Sequence, residues 1–265
     1  YRICKKDDRS QVFVAKILKK KLTDLTLNEF KRELIIAPLL SDHPAILKYI
    51  GYNEHSLENH ICGENEEEFI PTLITEFISN GTIEDAIQNN KVEWNNNTTK
   101  LKAIFGIASG LAQMFALNIT HRDLKPENIM LNERFEPVIC DLGNSRQFIF
   151  FVHEKKTIYM GTPIYKAPEL FPADLKPEYT YEIDSYSFGI LIYQILFNLS
   201  NIDVYPGICS IKELIKAKLN NVISKSLNDL HPEFKWLIEN CWNPAFNFRP
   251  DMPTVYCRLV KAFRE

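Results

Sequence analysis

The sequence predicts an α+β protein of two unequal lobes, a small and mainly β lobe over residues 1–78 and a larger, mainly helical one over residues 79–265. Three observations carry this. Strand patterns come early, one closing at Val14-Ala15-Lys16 and another over residues 71–78, Pro-Thr-Leu-Ile-Thr-Glu-Phe-Ile. Residues 100–117 place Leu101, Ile104, Phe105, Ala108, Leu111, Ala112 and Phe115 at three-and-four spacing, the signature of a helix with one face in a core. Residues 183–197 are apolar almost throughout, which suits a buried helix.

In chain order, the small lobe reads as strand, strand, helix, strand, strand. Phe30-Lys31-Arg32-Glu33-Leu34 has the pattern of an amphipathic helix. Residues 51–69 are expected to be a long link between two strands, and Glu64 and Glu66, Glu67 and Glu68 mark it as a solvated loop. Ser79-Asn80-Gly81 supplies a turn out of the last strand. Residues 95–99, N-N-N-T-T, read as a flexible link, with a helix opening near Thr99. Neither polar stretch argues for a further domain.

The composition narrows the functional classes. A chain of 265 residues with 45% hydrophobic content is long enough to bury two joined cores, and a formal charge of -3 gives no sign of a nucleic-acid surface. Cys4, Cys62, Cys140, Cys209, Cys241 and Cys257 follow neither metal-ligand nor disulfide spacing, which suits a reducing compartment; a cytoplasmic location is expected, with the nucleus as second choice. No stretch is long and apolar enough to cross a bilayer, since residues 190–199 are too few, and neither signal peptide nor lipidation motif is present.

The chemistry concentrates in residues 121–128, H-R-D-L-K-P-E-N. Taken alone, a run mixing Asp, Lys, Glu and Asn around a Pro is a solvated turn. Its spacing nevertheless suits phosphoryl transfer. Asp123 can accept a hydroxyl proton, Lys125 can steady a transferring phosphoryl group, and Asn128 can give an oxygen to magnesium. Thirteen positions after Asn128, Asp141 follows the apolar run Val138-Ile139-Cys140, so its carboxylate is expected at a strand end where it could hold a metal; Leu142-Gly143 follow it. Residues 161–169 read G-T-P-I-Y-K-A-P-E, and residues 184–189 read D-S-Y-S-F-G.

In this order the motifs resemble a eukaryotic protein kinase domain, and the resemblance runs over nearly the whole chain. It implies the bilobal kinase-like fold, ATP and Mg2+ as cofactors, and protein substrates as partners. It also implies roles for particular residues. Lys16 holds the inner phosphates of the nucleotide and pairs with Glu33, seventeen positions on. Thr75 guards the back of the adenine pocket, the backbone at Glu76 and Ile78 bonds the base, and Ala15 and Met130 sandwich it. Asn128 and Asp141 hold the metal. Asp184 fixes the backbone at His121 and Arg122, while Arg249, within C-W-N-P-A-F-N-F-R-P, pairs with Glu169. Leu142 stands where the family has phenylalanine and keeps an apolar packing residue.

The hydroxyl class follows from two sites. Lys125 in D-L-K-P-E-N and Thr162 in G-T-P, which can bond Asp123 and Lys125, match serine/threonine kinases. Thr75-Glu76-Phe77 and the Cys241-Trp242 signature lean toward the tyrosine-kinase-like branch, so tyrosine or dual specificity stays open as an alternative. A second alternative is a pseudokinase or scaffold with weak nucleotide binding. Nine glycines include no G-x-G-x-x-G, and the chain opens at Tyr1, where the family places the aromatic residue that follows its phosphate-covering loop. That loop is expected either to precede Tyr1 or not to exist, and this chain by itself to bind nucleotide weakly and expose a sheet edge. Arg122 is expected to receive a phosphate on Thr157 or Tyr159, ordering the segment around them. The sequence specifies neither a substrate motif nor an oligomeric state.

Overall fold

The computed structural model describes residues 1–17, 24–53, 72–147, 162–171 and 180–264, the side chains of 24–26 and of 53 excepted. β1 (Arg2–Cys4), β2 (Val12–Ile17), β3 (Tyr49–Asn53) and β4 (Thr72–Glu76) form one antiparallel sheet in the order β1-β2-β4-β3. The register sets Ala15 opposite Ile74 and Lys16 opposite Leu73. β1 thus edges the sheet beside the lysine strand, as expected. The link predicted over 51–69 is corrected at its start, because Gly51, Tyr52 and Asn53 pair with β4. Tyr and a turn-forming Asn obscured that pairing in the sequence. The rest of that link, including its acidic run, lies outside the described residues, and the last strand is shorter than the 71–78 predicted.

Helix α1 (Asp24–Leu40) crosses beside this sheet. Phe30, Glu33, Ala37 and Leu40 follow the three-and-four spacing of a buried stripe and are all nearly inaccessible, whereas Ile35 and Leu39 face outward. A carboxylate within the apolar stripe is costly unless paired, which makes Glu33 the informative residue of this helix.

The helical lobe begins with α2 (Ile83–Gln88), opened by a capping box between Thr82 and Asp85. α3 (Asn97–Ala116) follows. Here the predicted N-N-N-T-T link is corrected. The Asn96 side chain accepts the Thr98 N–H as an N-cap, and Asn97, Thr98 and Thr99 are already helical. Asparagine favours loops and N-caps for the same reason, its side-chain oxygen replacing a backbone acceptor, so composition alone did not separate the two.

Short strands β5 (Ile119–Thr120) and β8 (Arg146–Gln147) pair with each other, and β6 (Ile129–Leu131) pairs with β7 (Pro137–Ile139). A Cβ on Gly110 of α3 would lie 2.7 Å from the Ile139 side chain, so glycine lets this helix press on the β6–β7 hairpin. α4 (Glu182–Phe197) runs through the centre, and its residues from Ile183 to Ile195 are all buried. α5 (Asn201–Val204), α6 (Ile211–Leu219), α7 (Pro232–Cys241) and α8 (Met252–Ala262) surround it. At Gly189 a Cβ would stand 2.9 Å from the Trp242 backbone nitrogen, so α4 and the end of α7 touch backbone to backbone. The architecture is the predicted one, a small sheet lobe joined to a helical lobe.

Candidate active site

Two charged clusters meet between the lobes. In the first, Lys16 Nζ on β2 lies 2.7 Å from Glu33 Oε2 on α1 and 3.5 Å from Asp141 Oδ1. Burial works against the Lys16 ammonium, but Glu33 and then Asp141 outweigh it and hold its pKa above the ordinary value. Asp141 leaves the β6–β7 hairpin in the left-handed region, at φ 59° and ψ 70°, a conformation that costs energy for a residue with a Cβ and turns its carboxylate toward Lys16. Arg32 Nη1 donates to the Gly143 carbonyl at 2.9 Å and ties this turn to α1. Leu142, beside it, is buried in the core as the apolar packing residue expected.

The second cluster is built on the loop after β5. Asp123 is nearly buried, and its Oδ2 lies 3.1 Å from Lys125 Nζ and 3.2 Å from Asn128 Nδ2, while Oδ1 accepts the Thr162 N–H at 3.2 Å. Lys125 Nζ also donates to Thr162 Oγ1 at 3.0 Å. Asn128 further donates to the Asp123 carbonyl at 2.8 Å, so its amide nitrogen is engaged and its oxygen remains as the ligand atom. The clusters are joined by the backbone. The Cys140 N–H donates to the Asn128 carbonyl at 2.9 Å, which puts Asp141 one residue from the strand that follows Asn128.

The loop keeps its shape because α4 holds it from below. Asp184 Oδ2 accepts the His121 N–H at 2.6 Å and Oδ1 accepts the Arg122 N–H at 2.9 Å. Burial pushes the Asp184 carboxyl up, against the pull of His121 and these two amides. Arg122 sits at φ 71°, a strained conformation that the paired amides secure. His121, wholly buried, bonds the Asp123 N–H through Nδ1 at 3.3 Å and the Cys140 carbonyl through Nε2 at 3.1 Å, a pattern that the Nε2–H tautomer satisfies. Farther out, Arg249 makes the expected pair, Nη1 to Glu169 Oε1 at 2.7 Å and Nη2 to Glu169 Oε2 at 2.8 Å.

The period of β2 separates two of the residues expected at the nucleotide. Successive side chains of a strand point to opposite faces, so Ala15 and Lys16 do not share one, and Ala15 is wholly buried, whereas Val14 lies on the face of Lys16. Met130 is half-buried on β6, and Thr75 is a nearly buried small residue before the turn. The Glu76 N–H donates to the Lys48 carbonyl at 3.1 Å and its side chain accepts the Lys48 N–H at 2.8 Å, which fixes the chain just before Ile78. Thr157 and Tyr159 lie outside the described residues. Sequence reasoning gave no role to Arg32 and none to the His121 ring. An arginine beside Glu33 reads as a surface charge, and only its 5% exposure separates it from one.

The thiols divide by surroundings. Burial, with the Asp141 charge adding to it, pushes the Cys140 thiol up to about 12, and burial likewise pushes Cys241 to about 12, while Cys4, Cys209 and Cys257 are exposed. Brief iodoacetamide treatment of the native protein near about pH 8 is therefore expected to alkylate Cys4, Cys209 and Cys257 and spare Cys140 and Cys241. Peptide mass spectrometry reads this directly, and early labelling of Cys241 would contradict the packing described.

A sheet lobe, a helical lobe, a lysine–glutamate pair and a buried loop aspartate together make the arrangement of the protein kinase class. The protein kinase domain family matches residues 1–258, and the chain belongs to it. It is 27% identical over 252 residues, 94% of its length, to a protein of Acanthamoeba polyphaga mimivirus named a putative serine/threonine-protein kinase/receptor. It is 30% identical over 245 residues, 88% of its length, to roco5 of Dictyostelium discoideum, named a probable serine/threonine-protein kinase. A cysteine-rich receptor-like protein kinase of Arabidopsis thaliana is 34% identical over 179 residues, 65% of this chain and 24% of that protein. The chain spans 14% of the mimivirus relative and 8% of roco5.

Proposed function

We propose that this chain is the catalytic domain of a protein kinase that transfers the γ-phosphate of ATP to serine and threonine hydroxyls of proteins. One observation carries the reading. Lys16, Glu33 and Asp141 on one side and Asp123, Lys125 and Thr162 on the other are assembled around the single backbone bond between Cys140 and Asn128. The lobes divide near residue 78, and nucleotide would lie between them.

Each side chain then has a task its contacts support. Lys16, steadied by Glu33, presents its ammonium to phosphate oxygens. Asn128 and Asp141 fit a hard cation, offering one amide oxygen and one partly exposed carboxylate. Among the described residues no group of three or more His, Cys, Asp or Glu could hold a metal. These two ligands would share magnesium with phosphate oxygens, whose developing charge it would neutralise. Asp123 takes the hydroxyl proton, and Lys125 and Thr162 aim it. Thr162 beside Asp123 leaves a shallow approach that suits a short side chain, which favours serine and threonine over tyrosine. The Thr75-Glu76-Phe77 turn and Cys241-Trp242 support the tyrosine-kinase-like branch. Phosphorylation of Thr157 or Tyr159, read by Arg122, is the accompanying proposal for control.

Phosphoamino-acid analysis after incubating the parent protein with Mg2+, γ-labelled ATP and a pool of Ser-, Thr- and Tyr-containing peptides tests this. Phosphoserine and phosphothreonine are expected. Dominant phosphotyrosine would move the protein to the other hydroxyl class, and nucleotide binding with no transfer would make it a scaffold.

A further inference from the structure

Lys218 is the least expected buried residue in the molecule. It lies near the end of α6, is 0% exposed, and faces the rings of Tyr186 at 5.0 Å, Tyr205 at 5.2 Å and Phe171 at 6.0 Å. Among the described residues its ammonium has one hydrogen bond, donated by Nζ to the backbone carbonyl of Ile164. Burying an ammonium without a carboxylate of its own is costly, since the nearby Glu169 is already engaged by Arg249. Burial accordingly drives the Lys218 pKa well below the lysine range, with Glu169 pulling it back and Arg249 pushing it further down. The ring faces offset part of this cost. An apolar side chain would fill the same space more cheaply, so stability alone does not account for a lysine here.

The bond to Ile164 does account for it. Thr162, two residues earlier, contacts both Asp123 and Lys125. Ser187 Oγ donates to the Tyr165 carbonyl at 3.0 Å, and the Tyr165 hydroxyl donates to Gln194 Oε1 at 2.6 Å. The segment 162–165 is thus held by the catalytic loop at one end and by α4 at the other, and between them Lys218 ties it to α6. Thr162 at Asp123 sets this segment beside the carboxylate that a substrate hydroxyl would approach. We propose that Lys218 is a positioning residue for the protein substrate, fixing the backbone at Ile164 so that the acceptor side of the site keeps its shape. The proposal rests on the kinase reading above.

Lys218→Met keeps the volume and removes the donor; Lys218→Gln removes the charge and ends one atom short of the position from which Nζ reaches Ile164. Both are made in the parent protein and assayed with a peptide that the wild type phosphorylates. The acceptor KM is expected to rise about tenfold in each, the scale of one lost positioning hydrogen bond, with the KM for ATP held. The melting temperature of Lys218→Met is expected to be unchanged or higher, as for apolar replacements of buried charges. A folded variant with the wild-type acceptor KM overturns the proposal, as does an equal rise in both KM values. Loss of the folded state in both variants assigns Lys218 to stability and also overturns it. A wild type that transfers no phosphate sinks the kinase reading instead, which keeps the two failures apart.

Discussion

Replacing Asp123 by Asn is expected to lower kcat by about 10²- to 10⁴-fold, the range for loss of a positioned general base. The carboxylate has no redundancy in the site. Its Oδ2 faces two donors, Lys125 Nζ and Asn128 Nδ2, and its Oδ1 accepts from Thr162. An asparagine keeps the shape but turns one acceptor into a donor, so the proton acceptor is lost and Lys125 faces an amide in place of a charge. The KM for ATP is expected to hold, because Asp123 bonds none of Lys16, Glu33 or Asp141. Steady-state kinetics on the parent protein separates the two constants. A variant retaining most of its turnover would remove Asp123 from the chemistry and leave the site reading without its base.

Removing Arg249 is the largest expected insult to stability, about 3–5 kcal/mol for Arg249→Met, the cost of leaving a buried ion pair half made. The guanidinium does more than pair with Glu169. Nε donates to the Asn243 carbonyl at 2.7 Å, Nη1 to the Glu182 carbonyl at 3.2 Å and Nη2 to the Pro244 carbonyl at 3.2 Å, and the group lies 4.7 Å from the Tyr186 ring centroid. A methionine fills the space and abandons every one of these acceptors. Adding Glu169→Gln is expected to cost less than the sum of the single changes, because the unpaired carboxylate is then gone. Urea unfolding measures both. A loss below about 1 kcal/mol, the range of exposed pairs, would mean that the side chain is not buried as described.

The juxtaposition of the charged residues was legible in the sequence because the kinase resemblance fixes both their types and their order. Lys16, Glu33 and Asp141 make one cluster, and Asp123 and Asn128 belong to the other, joined to it through Cys140. Asp184 and Arg249 also meet the partners expected of them, since an acid at the head of an apolar helix needs donors and an arginine in that signature needs an acid. Boundaries were less legible. Asn96 caps a helix where it looked like linker, and Asn53 ends a strand where it looked like loop. Ala15 lies wholly buried on the face of β2 opposite Lys16, a placement that the two-residue period of a strand dictates and that was not applied to the sequence. Arg32, Lys218 and the His121 ring were missed for a common reason. Each bonds a carbonyl of a distant residue, Gly143, Ile164 and Cys140 respectively, and main-chain acceptors leave no trace in residue identity.

Helix α4 has a consequence for how the protein fails. One rod carries Asp184 under the loop of Asp123, Ser187 and Gln194 under Tyr165, and Tyr186 against both Arg249 and Lys218. Because that rod is sealed from solvent along nearly its whole length, it opens only when everything around it opens. Any phosphate transfer by the parent protein is therefore expected to vanish at the temperature at which this rod melts, since the Asp123 loop loses its footing with it.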